Sequence, residues 1–146
     1  MKDRLVAGSL AGACGALIQE LYAIILKTLG FSDRTFGDLA FILMSKKGIE
    51  GILLVEVIAN AAIGLFFGAV LAYIFRLTSS RYYLLKGIFY GVVLWLLLSG
   101  FGVVFDLPKF KGTPPDVSLI MLIGSIIYGM VTAYTLKLLD TKTRLL

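Results

Sequence analysis

The chain contains no histidine and only one cysteine, Cys14. The first absence removes histidine proton relays, His-ligated zinc sites and Ser-His or Cys-His nucleophiles. The second excludes an intramolecular disulfide. Charge is scarce too, at 16% of residues. No aspartate lies inside an apolar run, so the paired aspartates of an intramembrane protease are missing. No glycine-rich loop leads into Lys-Ser or Lys-Thr. The expectation is a chain with no metal site, no cofactor and no enzymatic activity.

What the sequence does hold is hydrocarbon. Hydrophobic residues make up 59% of it, against about 45–50% in soluble domains, and the mean hydropathy is +0.95. A helix needs roughly 20 apolar residues to cross a bilayer. Four runs qualify, at 5–29, 52–75, 84–105 and 117–136. Each is continuous rather than alternating, which argues against a β-barrel. The predicted fold is all-α, one domain over 1–146, with four transmembrane helices in a bundle. Residues 10–14 resemble a lipoprotein processing site, but the apolar stretch before Cys14 is short, and the segment reads as part of the first span.

The net charge of +5 belongs to short loops beside the spans. It reads as orientation and contact with lipid headgroups, not as nucleic-acid binding. One side of the bilayer would hold Lys2, Arg4, Arg76, Arg81, Lys86, Lys137, Lys142 and Arg144, eight basic residues. The other would hold Lys27, Arg34, Lys46, Lys47, Lys109 and Lys111, six. The positive-inside rule then puts both termini in the cytoplasm. The bilayer is the expected partner, and a second copy or another membrane protein is left open.

The first loop predicts a short amphipathic helix of its own. Thr35 suits its N-cap, Asp38 its first turn and Gly48 its end. At about eleven residues it is too short to cross, so it should lie at the outer interface or re-enter, as a lid over the bundle. In the third loop, Pro114, Pro115 and Asp116 suit the first turn of the fourth span.

Two stripes recur every fourth residue and so line one helix face each. On the first span they are Gly8, Gly12, Ala16 and Glu20, and on the second Glu56, Asn60, Gly64, Gly68 and Ala72. Small residues at this spacing let helix backbones approach closely. Antiparallel pairing sets Gly8 beside Ala72, Gly12 beside Gly68, Ala16 beside Gly64 and Glu20 beside Asn60. Glu20 and Asn60 each sit about 12–13 Å from the outer end of their span at 1.5 Å per residue, which supports this register independently. Glu56 is shallower, with Lys27 as an ion-pair partner across the seam. A carboxyl group at such depth needs a reason. It is either a polar fastening between helices, worth roughly 1 kcal/mol, or an exchangeable proton or cation site. Gln19 points about 100° away from Glu20 and serves another interface. Trp95, in mid-span, reads as packing.

A weak repeat is also visible. Residues 68–77 align without gaps to 129–138, sharing Gly-x-x-x-Ala-Tyr-x-x-basic-Leu, and Gly8 and Gly12 correspond to Gly87 and Gly91. Two in-out-in hairpins of the same topology would be related by an axis along the membrane normal. Glu20 then corresponds to Ser99 and Asn60 to Met121, so the buried charge belongs to the first hairpin alone.

The segment from Ser80-Arg81-Tyr82-Tyr83-Leu84-Leu85-Lys86-Gly87 to Trp95, with Gly124-Ser125-Ile126-Ile127-Tyr128-Gly129, resembles uncharacterised four-helix membrane proteins of Gram-positive bacteria, of the YqhR-like kind. That resemblance implies a bacterial plasma membrane and no particular activity. The small multidrug transporters are similar in having four helices and a glutamate in the first. This chain is longer, carries an extra helix and lacks their tryptophan and tyrosine pattern. Two functions are therefore expected to compete: a non-catalytic structural or accessory component, or a small, dimeric proton-coupled transporter with Glu20 as its coupling carboxylate.

Overall fold

The computed structural model describes residues 3–45, 52–78 and 81–143. Gly48, expected to end the loop helix, and the charged Lys2, Lys46, Lys47, Glu50 and Arg144 lie outside them. The described chain is all-α: α1 (Arg4–Thr28), α2 (Phe36–Ser45), α3 (Leu53–Thr78), α4 (Tyr83–Val104) and α5 (Pro115–Thr143). The four long helices are each long and apolar enough to cross a membrane. Large apolar side chains such as Leu10, Phe66, Phe89 and Leu97 stay exposed on them, as helices surrounded by lipid require.

Local chemistry sets the helix ends. Asp3 caps α1 by accepting from the backbone N–H groups of Leu5 and Val6 at 3.1 and 3.3 Å. Gly30, at φ +80°, closes its other end, where Phe31 N–H donates to Leu26 O at 2.9 Å. That left-handed position suits a residue without Cβ. Pro115 opens α5 with Asp116 in the first turn, where a missing N–H costs nothing and a negative charge meets the helix dipole. Helix α5 continues seven residues beyond the apolar run that announces it. Hydropathy marks only the part of a helix that can sit in lipid.

The four long helices form a bundle in which α3, α1, α5 and α4 follow one another as neighbours, and side chains of all four share one core cluster. Helix α1 packs along both α3 and α5, α4 packs along α5, and α2 lies on α3. Glycines allow the close seams. A Cβ on Gly8 would lie 2.8 Å from that of Ala72, and one on Gly12 would lie 2.7 Å from Gly68 Cα. In the second hairpin a Cβ on Gly87 would lie 2.8 Å from that of Ala133, and one on Gly91 2.9 Å from Ile126 Cα, against Ser125. Ser125 and Ala133 are the counterparts of Gly64 and Ala72, so both hairpins pack in one register. The backbones of α3 and α4, in contrast, stay apart over most of their length, bridged where Tyr90 O–H donates to Phe67 O at 2.6 Å.

Candidate functional site

Glu20, Asn60 and the start of α2 meet inside the bundle. Glu20 is 2% exposed. Its Oε2 accepts from Gly37 N–H at 2.7 Å and from Asn60 Nδ2 at 3.2 Å. The Asn60 amide also donates to Ala16 O at 3.2 Å, which ties α3 to the α1 backbone one turn away. The acceptor for the first turn of α2 is thus a carboxyl group from another helix. Helix N-termini expose unpaired N–H groups and carry partial positive charge, so a carboxylate belongs there.

Position 37 must be glycine for this to happen. A Cβ there would fall 2.7 Å from Glu20 Oε1 and 2.9 Å from Glu56 Cβ. Phe36 beside it packs on Gly124 of α5, where an added Cβ would lie 2.6 Å from Phe36 Cζ and 3.3 Å from Tyr22 Cε1. Gly124 is nine residues into α5, about 13 Å from its start. Helix α2 therefore does more than lie across the bundle: its N-terminus descends to the Glu20 layer, while Ile42 further along packs with Leu107 and Phe110.

A second set of charges fastens this end of the molecule. Thr35 and Asp38 form a reciprocal cap, with Asp38 N–H donating to Thr35 Oγ1 at 3.1 Å and Thr35 N–H to Asp38 Oδ2 at 2.8 Å. The same Oδ2 receives Lys27 Nζ at 2.9 Å, with Lys109 Nζ at 3.9 Å. Burial pushes the Asp38 carboxyl up, but the Lys27 and Thr35 hydrogen bonds and the charges of Lys109 and Lys27 outweigh it and hold Asp38 below the usual carboxylate range. Arg34, itself buried, grips Asp33 with two bonds at 2.6 and 2.8 Å. That grip holds Asp33 below its ordinary value against the opposing effect of burial. The remaining donor of Arg34 reaches Lys109 O, and Thr113 Oγ1 at 3.2 Å. The loop before α2 is thereby tied to the loop before α5.

Of the residues singled out in the sequence, Glu20 and Asn60 are hydrogen-bonded, and Glu56 is buried one turn away beside Gly37. Lys27 takes Asp38 as its ion-pair partner, a residue anticipated only as part of a helix cap. Gly8, Gly12 and Ala16 face Gly64, Gly68 and Ala72 along the α1–α3 seam. The roles of Gly37, Arg34, Lys109 and Tyr128 had no sequence signal, because each depends on a loop or helix distant in the chain. Tyr128 O–H donates to Gly64 O at 2.9 Å, fastening α5 to α3.

Beside this layer lies a cavity of about 360 Å³ between α3, α4 and α5, roofed by α2 and the loop before α5. Asn60 lines it, whereas Glu20 does not. Asn60 thus stands between the carboxyl group and the cavity. Among the described residues no three of His, Cys, Asp or Glu are grouped so as to hold a metal ion. Comparison of the chain with protein-family models, curated proteins and solved structures returned no match.

Proposed function

We propose that this membrane-spanning protein is a non-catalytic structural or accessory component of a bacterial plasma membrane. In this reading Glu20 anchors α2 and does not couple a proton to transport. The observation that carries the proposal is the 2.7 Å bond from Gly37 N–H to a carboxyl group that is 2% exposed. A coupling carboxylate must exchange its proton with water or substrate, and here the start of α2 occupies the approach. Both termini are proposed to be cytoplasmic on the Lys/Arg count. A reporter fused after residue 146 should then be inactive if it requires export.

The discriminating pair of variants is E20Q and E20L, compared by maleimide labelling of a cysteine placed at Ala40, which is buried on α2. An amide oxygen still accepts from Gly37 N–H, so E20Q should keep position 40 protected. Leucine offers no acceptor, so E20L should release α2 and expose it. The competing transporter reading draws on one observation, that Asn60 bonds Glu20 and also lines the cavity. It requires E20Q to fold normally yet abolish proton release on addition of a transported substrate. That result would displace the structural reading.

A further inference from the structure

We propose that the cavity between α3, α4 and α5 is a binding site for an uncharged single-chain amphiphile, with hydroxyl or carbonyl oxygen at its head, drawn laterally from the bilayer. Its volume of about 360 Å³ falls within the range of small-molecule sites, about 300–1,000 Å³. Its walls are of two kinds. Phe67, Leu94, Trp95, Leu98 and Met121 make the sides apolar. Gln19, Asn60, Ser125 and Tyr128 make the side toward α1 and α5 polar.

The polar wall is unusual for what it leaves undone. Gln19 and Ser125 are each 6% exposed, yet their side chains hydrogen-bond to nothing among the described residues. Asn60 spends its amide nitrogen on Ala16 O and Glu20, and its carbonyl oxygen remains to accept. Tyr128 spends its proton on Gly64 O and presents its hydroxyl oxygen beside Thr132. These groups open on the cavity, so whatever fills it must supply the hydrogen bonds that the protein does not. Helix register brings them together. Gly15 packs on Tyr128 and Thr132, so one turn further along antiparallel α1 Gln19 reaches the level of Ser125. Water alone would satisfy the polar wall but not the apolar sides, whereas an amphiphile matches both.

The head is neutral because the polar wall offers amides and hydroxyls only. The two cations lining the cavity, Arg34 and Lys109, sit at its far end near the loops. There Arg34 is held by Asp33, and Lys109 lies 3.9 Å from Asp38. No carboxylate lines the cavity among the described residues. A charge delivered to the Gln19 wall would be buried without a counter-ion. The tail leaves between α3 and α4, where Ile63, Phe67, Trp95 and Leu98 are only half-buried and the backbones stand apart.

Trp95 is the sole tryptophan and a built-in reporter. The test uses the full chain in phosphatidylcholine nanodiscs, titrated with undecanol brominated at the chain terminus, whose bromine quenches indole on contact. Quenching should saturate, and unlabelled undecanol should reverse it. Undecanoate and undecane should not. The Q19L/S125A double variant should need about tenfold more probe while keeping its thermal transition. Linear quenching that the double variant does not alter would overturn the proposal, as would equal competition by undecanoate or by undecane. If the double variant does not fold, the three competitors decide the matter on the native chain.

Discussion

The two seams that join the hairpins are made from equivalent positions and end up differently. Where α1 meets α5, Gly15 lies against Thr132 and Tyr128, and a Cβ there would come within 3.0 Å of the Tyr128 ring and carbonyl. The equivalent positions where α4 meets α3 are Leu94, Leu71 and Phe67. These belong to one buried cluster with Tyr90 and Phe75, yet they hold the two backbones apart. Ala11 and Ala16 on α1 likewise have Tyr90 and Trp95 as counterparts on α4. A hairpin pair that shares one internal register thus closes on one side and stands open on the other, through side-chain volume alone. The open side is the cavity. The polar layer follows the same division, because Glu20 of the first hairpin is met by α2 and lies off the cavity, while its counterpart Ser99 lines it.

The strongest way to break this comparison is to put the open seam's residue into the closed one. Gly15→Leu should drive its side chain into Thr132 and Tyr128 and lower stability by about 3 kcal/mol, read from denaturation in detergent. If it is tolerated without loss, volume does not explain the difference. Next comes the anchor of α2. Glu20→Leu leaves Gly37 N–H without its acceptor and the Asn60 amide with Ala16 O alone, and should cost about 2 kcal/mol, whereas Glu20→Gln should cost under about 1 kcal/mol. A smaller effect is expected at the bridge between α3 and α4. Tyr90→Phe removes one hydrogen bond to Phe67 O and should cost about 0.6 kcal/mol, the usual size for such bonds in membranes. It should also widen the seam, raising labelling of a cysteine at Phe67.

The least effect at neutral pH concerns Asp38. Its folded value lies below the ordinary carboxylate value, about 3.9 when unfolded. Its contribution is therefore fully present above that unfolded value and is lost as pH falls through the folded one. The docking of α2, followed by labelling at Ala40, should weaken on acidification below about pH 4. Asp38→Asn should remove that part of the pH dependence.

Much of this was legible from the chain. The spans are long apolar runs, so hydropathy located them to within a few residues, except where α5 runs on past its apolar part. The facing of Glu20 and Asn60 could be read because both lie at one depth on stripes of four-residue period. The cap of α2 was visible in Thr35 and Asp38, which are neighbours in sequence. Its descent to Glu20 was not, because periodicity shows which face a helix buries and not which distant loop will meet it. For the same reason the ion pair between Lys27 and Asp38 has no signal in the sequence, since it depends on where α2 docks. Gln19 could be turned away from Glu20 by helix geometry, but its place on a cavity wall depends on α5. The cavity itself comes from bulk at Leu94 and Trp95, residues that in sequence read only as packing.

The central claim is that a buried carboxyl group of the first hairpin holds the N-terminus of α2. The measurement that addresses it most directly is hydrogen exchange at the Gly37 amide, followed by NMR in nanodiscs. That N–H should be strongly protected in the native chain, remain protected in E20Q and exchange freely in E20L, while amides in the middle of α1 and α3 stay unchanged in all three. Rapid exchange of Gly37 in the native chain, or protection that survives E20L, would contradict it.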